Sequence, residues 1–114
     1  MVIVKIVESL VEIIKKKFNF NEANQIFDLM ESLEENPKKG KLLASLGGIV
    51  IKELKYKNFR FYFITDGFKL KYLSEKEFVD LLLKFVRMSD KNSQQAVIEE
   101  IKTILKKIGP SGLD

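Results

Sequence analysis

The stretch GGIVIKELKYKNFRFYFITD, residues Gly47 to Asp66, decides the fold because it predicts two strands joined by a tight turn. Phenylalanines recur at every second position from Phe59 to Phe63, which is the spacing of side chains on one face of a strand. Asn58 lies in a short polar break between two runs rich in strand-forming residues. We therefore predict an antiparallel hairpin whose two-residue loop consists of Lys57 and Asn58.

This loop determines which residues of the hairpin face each other. The predicted pairs are Tyr56 with Phe59, Leu54 with Phe61, and Lys55 with Arg60. The face expected to form the core carries Val50, Leu54, Tyr56, Phe59, Phe61 and Phe63. The opposite face, expected to be open to solvent, carries Glu53, Lys55, Arg60 and Tyr62. The same register places Lys52 on the core face opposite Phe63, so either its ammonium reaches solvent at the sheet margin or the register has slipped.

Composition bounds the class of protein. The chain has 114 residues, which predicts one domain spanning residues 1–114, and its 46% hydrophobic and 32% charged content is typical of a soluble globular protein. It has no cysteine and no histidine, which excludes disulfides, thiolate zinc sites and imidazole catalysis. No apolar run is long enough to cross a bilayer, so we expect a cytoplasmic protein with no membrane partner.

Positive charge is concentrated around the hairpin. Residues Lys38 to Lys71 contain nine bases and two acids, a net charge of +7, although the whole chain carries only +4. Such a concentration is typical of proteins that bind phosphate groups. A solvated lysine-rich surface is the alternative explanation. We expect no cofactor and no metal, because the acidic residues lie mostly on helix faces predicted to be exposed.

The segments before the hairpin predict two helices. Residues 2–17 show helical spacing of apolar residues, although the β-branched start from Val2 to Val4 leaves a first edge strand possible. A second helix, capped by Asn19 or Asn21, would run to about Glu35 and form a helical hairpin with the first. Leu42 to Leu46 would form a short anchoring turn.

After the hairpin, Asp66 and Gly67 predict a turn, and the alternation from Phe68 to Leu73 predicts a third strand. Ser74 and Glu77 match a capping box for a short helix through Leu81. Leu82 to Met88 predicts a fourth strand, or a continuation of that helix. Gln94 to Ile108 predicts a final amphipathic helix, after which residues 111–114 should fray.

The fold class predicted from this order is α+β: an N-terminal helical hairpin, a small twisted antiparallel sheet of three to four strands, and a C-terminal helix, with the helices on one face of the sheet.

Four short motifs in this order resemble the RelE/ParE toxin superfamily, in particular its HigB and phage Gp49-like branch. They are Asn36 to Leu42 (NPKKGKL), Lys52 to Lys55 (KELK), Asn58 to Phe63 (NFRFYF) and Leu82 to Ser89 (LLKFVRMS). The resemblance spans roughly residues 21–108. It implies a single RelE-like domain.

The resemblance also implies a function: the toxin of a type II toxin–antitoxin system that cleaves ribosome-bound mRNA by attack of a ribose 2′-OH on the scissile phosphate. Its partners would be mRNA, the ribosome and a cognate antitoxin. The residues that match the family's phosphate-binding positions are Arg60, Lys55 and Arg87, and we predict that Tyr62 and Lys52 assist them. Further contacts with the RNA backbone are predicted for Lys57, Lys38, Lys39, Lys41 and Lys91.

Each of these roles has a structural alternative. Arg60 could form a salt bridge with Glu53 or Asp66, Tyr62 could simply line the sheet, and Arg87 could join the late strand to the last helix. At the level of the whole protein, the alternatives are a ParE-like module that binds a protein target such as DNA gyrase without cleaving RNA, and an inactive relic.

Overall fold

A five-stranded mixed sheet lies at the centre of the computed structural model, which describes residues 1–73 and 80–114. The elements, in chain order, are β1 (Val2–Ile6), α1 (Glu8–Lys17), α2 (Phe20–Glu31), a 3₁₀ turn (Ser32–Glu34), β2 (Lys41–Leu46), β3 (Ile49–Tyr56), β4 (Phe59–Asp66), α3 (Gly67–Tyr72), β5 (Leu81–Asp90), α4 (Gln94–Lys107) and a C-terminal 3₁₀ turn (Pro110–Leu113). The strands lie in the order β1-β5-β4-β3-β2. The α+β class is therefore confirmed. No helix in the described ranges is long and apolar enough to cross a membrane.

The predicted hairpin is present in the predicted register. Tyr56 lies opposite Phe59, and Lys55 lies opposite Arg60. Lys57 has a φ of +53°, which two-residue hairpin loops require because their backbone twist must match that of the strands. Lys52 lies opposite Phe63, so the register has not slipped.

The sheet is wider than predicted, and it is mixed. The β-branched residues Val2 to Val4 lie in β1, which pairs in parallel with β5, so the possible first edge strand is real and the helix begins only at Glu8. Leu42 to Leu46 lies in β2, which pairs with β3, and the anchoring turn predicted there is wrong. Both strands lie at the sheet edges, where long-range pairing selects a conformation that local sequence leaves open.

The second helix begins as predicted. The Asn19 side chain accepts a hydrogen bond from the backbone N–H of Glu22 at 2.8 Å, so Asn19 is the N-cap of α2. The α-helix ends at Glu31, and the remaining predicted turn is a 3₁₀ turn from Ser32 to Glu34. This tightening at a helix end is common.

The predicted third strand is wrong, because Gly67 to Tyr72 forms helix α3. The carboxylate of Asp66 accepts hydrogen bonds from the backbone N–H groups of Phe68 and Lys69, at 2.9 and 3.1 Å. Asp66 is therefore a helix N-cap rather than a turn residue. The helix predicted from the capping box at Ser74 and Glu77 lies outside the described residues, apart from its last position, Leu81, which belongs to β5.

Helices cover both faces of the sheet, and the prediction of one covered face is wrong. On the phenylalanine face, the ring of Phe18, which follows α1, packs edge-on against Phe59 with centroids 5.0 Å apart. On the opposite face, Arg87 lies opposite Tyr62, and its Nε is 3.7 Å from a carboxylate oxygen of Glu100 in α4. Since directly opposed residues share a face, α4 lies over the Tyr62 side of the sheet. Tyr62 is consequently fully buried.

The C-terminal residues are held against β5 and are not frayed. Leu113 is fully buried, and its carbonyl oxygen accepts a hydrogen bond from Nη1 of Arg87 at 3.0 Å. Nζ of Lys84 donates to the carbonyl oxygen of Pro110 at 3.1 Å and forms an ion pair with Asp114. Two basic side chains of β5 therefore fix the end of the chain, a long-range contact that has no local sequence signal.

Candidate functional site

A groove of about 480 Å³ opens beside β3 at the point where β2 begins. We call it the basic groove, and its lining residues are Leu29, Lys39, Gly40, Lys41, Glu53, Leu54, Lys55 and Arg60. It brings together four residues that the sequence predicted to contact RNA: Lys39, Lys41, Lys55 and Arg60. Their charges converge from two separate segments, the loop before β2 and the β3–β4 hairpin.

Strand pairing positions the basic side chains. Lys55 and Arg60 are cross-strand neighbours, and Lys41 lies opposite Glu53. Directly opposed residues have Cβ atoms about 5 Å apart, so each pair presents its charges side by side. The pairing of β2 with β3 stops at Lys41 and Glu53, which leaves the following residues of β3 beside the open groove.

Gly40 allows the loop before β2 to approach β3 closely. Its φ is +106°, and a Cβ atom there would lie 3.1 Å from both the carbonyl oxygen of Glu53 and the ring of Phe63. A side chain at this position would push Lys39 and Lys41 away from Lys55 and Arg60. The glycine of the NPKKGKL motif is thus a geometric requirement of the groove.

Arg60 has an available guanidinium. Its Nη1 donates a hydrogen bond to the carbonyl oxygen of Phe59 at 3.1 Å, and the side chain is half-buried. Within residues 1–73 and 80–114, no carboxylate lies within ion-pair distance of Arg60. The alternative prediction of a salt bridge with Glu53 or Asp66 is therefore wrong. A planar guanidinium without a carboxylate partner can form bidentate contacts with a phosphate.

Glu53 is a candidate functional residue that the sequence reasoning missed. Its residue exposure is 8%, and its Oε2 is buried with no hydrogen-bond partner in the described part of the chain. A buried oxygen without a protein partner is costly, and a water molecule, a ligand or a catalytic role can account for it. The only sequence signal was its place two residues before Lys55 on the same strand face.

Tyr62 is not available to a ligand. It is fully buried, and its hydroxyl oxygen lies 2.7 Å from that of Ser89. Burial raises the pKa of Tyr62, and the hydrogen bond with Ser89 partly opposes that rise. The expectation that Tyr62 lies on an open face is wrong, because α4 covers this part of the sheet.

Lys52 lies on the other face of the sheet from Lys55 and Arg60, where it is buried. Its Nζ donates to the carbonyl oxygen of Lys38 at 2.9 Å and lies 5.8 Å from the centre of the Phe63 ring. Burial lowers the pKa of Lys52, and the charge of Lys38 lowers it further. Lys52 therefore anchors the loop that carries Lys39 and Lys41 and does not enter the groove itself.

Arg87 binds the C-terminal segment. Its Nη1 donates to the carbonyl oxygens of Val86 and Leu113, at 2.7 and 3.0 Å. Its Nε is 3.7 Å from a carboxylate oxygen of Glu100 in α4, so Arg87 joins the late strand to the last helix, as in the structural alternative, and also binds the end of the chain. It does not line the basic groove.

The remaining predicted lysines lie outside the groove. Lys57 forms an ion pair with Glu22 at 3.1 Å, and the hydrogen bond with Glu22 raises the pKa of Lys57. Lys91 is exposed after the end of β5, near the hairpin loop because Asp90 lies opposite Phe59. The backbone carbonyl oxygen of Lys38 accepts a hydrogen bond from Lys52.

Comparisons with models of protein families, with curated proteins and with solved structures find nothing that matches this chain.

Proposed function

We propose that this chain is an RNA-cleaving toxin of the RelE/ParE type, and that the basic groove binds and cleaves mRNA. One observation carries the proposal. Lys55 and Arg60 lie side by side in a groove that is also lined by Glu53, whose carboxylate oxygen Oε2 is buried without a hydrogen-bond partner in the described residues. Two cations suit a phosphate, and a carboxylate beside them suits the removal of a proton.

The first step is binding of the RNA backbone. Lys39 and Lys41 from one wall, and Lys55 and Arg60 from the other, attract successive phosphates without reading the bases. Arg60 makes a bidentate contact with the scissile phosphate, and Lys55 neutralises the same group from the neighbouring strand.

The second step is transfer of the phosphoryl group within the RNA. Glu53 accepts the proton of the ribose 2′-OH as O2′ forms a bond to phosphorus and the bond from phosphorus to O5′ breaks. The departing O5′ takes a proton from the ammonium of Lys41, which lies opposite Glu53. Arg60 and Lys55 stabilise the additional negative charge of the pentacoordinate phosphorus. The products carry a 2′,3′-cyclic phosphate and a 5′-OH.

The motif resemblance supports the same assignment. The residues that match its phosphate-binding positions include Lys55 and Arg60, and the NPKKGKL motif supplies Lys39, Gly40 and Lys41. The helical pair α1 and α2, the β3–β4 hairpin, the late strand β5 and the final helix α4 follow the order of the motifs, and the structure adds β1, β2 and α3 to them. The partners proposed are mRNA on the ribosome and an antitoxin that covers the basic groove when the toxin is inactive.

Cleavage in a translation extract, mapped by primer extension, tests the proposal. The wild-type protein should cut mRNA and leave 5′-OH ends. Arg60→Ala should lower the cleavage rate about a hundredfold or more, because it removes transition-state charge stabilisation. Glu53→Gln keeps the shape but cannot accept the proton, so it should lower the rate by a similar or greater factor.

Lys16→Ala is the matched control, since it removes one positive charge from an exposed position outside the groove. Full activity of Arg60→Ala and Glu53→Gln would refute the assigned groove. If RNA stays intact and DNA gyrase is instead trapped during supercoiling, the ParE-like alternative is correct. A protein that does neither is an inactive relic.

A further inference from the structure

We propose that a second groove, between α1 and β5, binds an extended acidic peptide as an additional strand of the sheet. This groove has a volume of about 500 Å³ and is lined by Ser9, Leu10, Ile13, Lys17 and the five consecutive residues Val86 to Asp90. We call it the edge groove. It shares no lining residue with the basic groove, and the inference does not rest on RNA cleavage.

The edge groove exists because β1 is shorter than β5. The parallel pairing ends where Ile6 lies beside Phe85, and the backbone N–H of Val7 donates to the carbonyl oxygen of Phe85 at 3.0 Å. The chain then turns into α1. Between Arg87 and Asp90, β5 pairs with β4 on one side, and no other backbone of the described residues pairs with it on the other.

The lining residues show that the groove follows the strand edge. Successive side chains of a strand point to opposite faces, so a cavity on one face would touch alternate residues. This cavity touches every residue from Val86 to Asp90. It therefore follows the edge of β5, where no described backbone pairs with Arg87 to Asp90 on this side, and the N–H and C=O groups of such an edge pair with an incoming strand.

Helix α1 supplies the other wall with an apolar centre and a basic end. Ile13 is 48% exposed and faces the groove, where it can contact an apolar side chain of a bound strand. Lys17 lines the groove near Asp90, at the end of the helix where Lys15 and Lys16 also lie. In the described residues none of these lysines has a carboxylate within ion-pair distance.

The other two charged side chains of the edge groove, Asp90 and Arg87, already have hydrogen-bond partners. Asp90 Oδ1 accepts hydrogen bonds from the backbone N–H groups of Asn92 and Ser93 and from the Ser93 hydroxyl. Arg87 is bound to Leu113 and lies near Glu100. The lining therefore contains two cations, Lys17 and Arg87, and one anion, Asp90, which leaves it one net positive charge. Lys17 has its Nζ 5.3 Å from the centre of the Phe59 ring and no carboxylate within ion-pair distance among the described residues, so the peptide carries an acidic residue at this end and apolar residues beside Ile13.

The test is a titration of the ¹⁵N-labelled full chain with the peptide Asp-Val-Thr-Val-Thr-Val-Glu. At about 3.3 Å per residue this peptide is long enough to cover the free part of β5, and it places an acid near Lys17 in either strand direction. We expect shifts of the backbone amide signals from Arg87 to Asp90. The same peptide methylated on every internal amide nitrogen cannot donate backbone hydrogen bonds and should not bind.

Two adjacent lysines provide a matched pair of variants. Lys17→Glu should weaken peptide binding about fivefold or more, and Lys16→Glu, which does not line the groove, should leave it nearly unchanged. Ile13→Ser removes an exposed apolar contact without opening the core, and it should also weaken binding. Arg60→Ala should bind the peptide as the wild type does, which separates this result from a failure of the RNA-cleavage proposal.

Several results would overturn the inference. These are no shifts from Arg87 to Asp90, equal binding of the methylated peptide, equal effects of Lys16→Glu and Lys17→Glu, or shifts confined to the other sheet edge in β2. Shifts of the same amides caused by a short RNA would show that this groove binds nucleic acid instead.

Discussion

The hydroxyl oxygens of Tyr62 and Ser89 lie 2.7 Å apart in the interior, on neighbouring strands under α4. Both residues are buried, so neither hydroxyl can replace this partner with bulk water. Tyr62, which the sequence predicted at the surface, thus belongs to the core, and Ser89 provides the partner that its buried hydroxyl needs.

The losses of stability caused by removing the Tyr62 and Ser89 hydroxyls separately should add up to more than the loss caused by removing both together. Tyr62→Phe and Ser89→Ala should each lower the free energy of unfolding by about 1–2 kcal/mol, because each leaves a buried polar atom unpaired. The double variant should lose less than the sum of the two. Urea denaturation of the four proteins measures this, and additive losses would show that the two hydroxyls do not interact.

Arg87 and Arg60 should differ sharply in their contribution to stability. Arg87→Ala removes the hydrogen bond to the Leu113 carbonyl and should lower the free energy of unfolding by about 2–3 kcal/mol. Arg60→Ala removes a side chain with no ion-pair partner among the described residues and should change it by about 0.5 kcal/mol or less. Hydrogen exchange should also show faster opening of the C-terminal turn in Arg87→Ala, and equal stability of the two variants would contradict this assignment.

Lys52 should make stability depend on pH in the alkaline range. Burial lowers its folded-state pKa below the ordinary value of 10.5, so the unfolded chain binds this proton more tightly than the folded chain does. Between the two pKa values the unfolded state holds more protons, and the free energy of unfolding therefore rises with pH in that interval. At pH values below the folded-state pKa of Lys52, its ammonium is charged in both states, and burying that charge lowers the free energy of unfolding by its full cost.

Lys52→Met should remove this rise, which urea denaturation from about pH 7 to about pH 10 would measure. Lys55→Met is the matched control, because it removes the same charge from an exposed position three residues along β3. A rise that persists unchanged in Lys52→Met, or that disappears in Lys55→Met, would assign the dependence to another group.

Several elements could be predicted because their signals are local. The alternation around Phe59 and Phe61, together with the short loop at Lys57, determines the hairpin register. Asn19 identifies the start of α2, and the apolar spacing identifies α4. Alternation over a short run was misleading after Asp66, where capping of two backbone N–H groups selects a helix.

The candidate site could be predicted only in part. Lys55 and Arg60 were found because hairpin register places them together. Glu53 was missed as a functional residue, since its burial and lack of a partner depend on the rest of the fold. Arg87 matched a phosphate-binding position by motif, but it binds the end of the chain. Tyr62 was predicted to assist from an open strand face, but it is fully buried.

The sequence by itself determined the α+β class, the hairpin pairing and the side-by-side cations, because these follow from contacts between residues close in the chain. Only the tertiary structure decided which strand face is open, which strands lie at the edges and which polar groups are buried. The central strands carry residues such as Ile51 and Ile64 on the face that was expected to be exposed, and both are buried. The position of α4 over that face depends on packing between segments that are distant in the chain, and the local sequence pattern does not predict such packing.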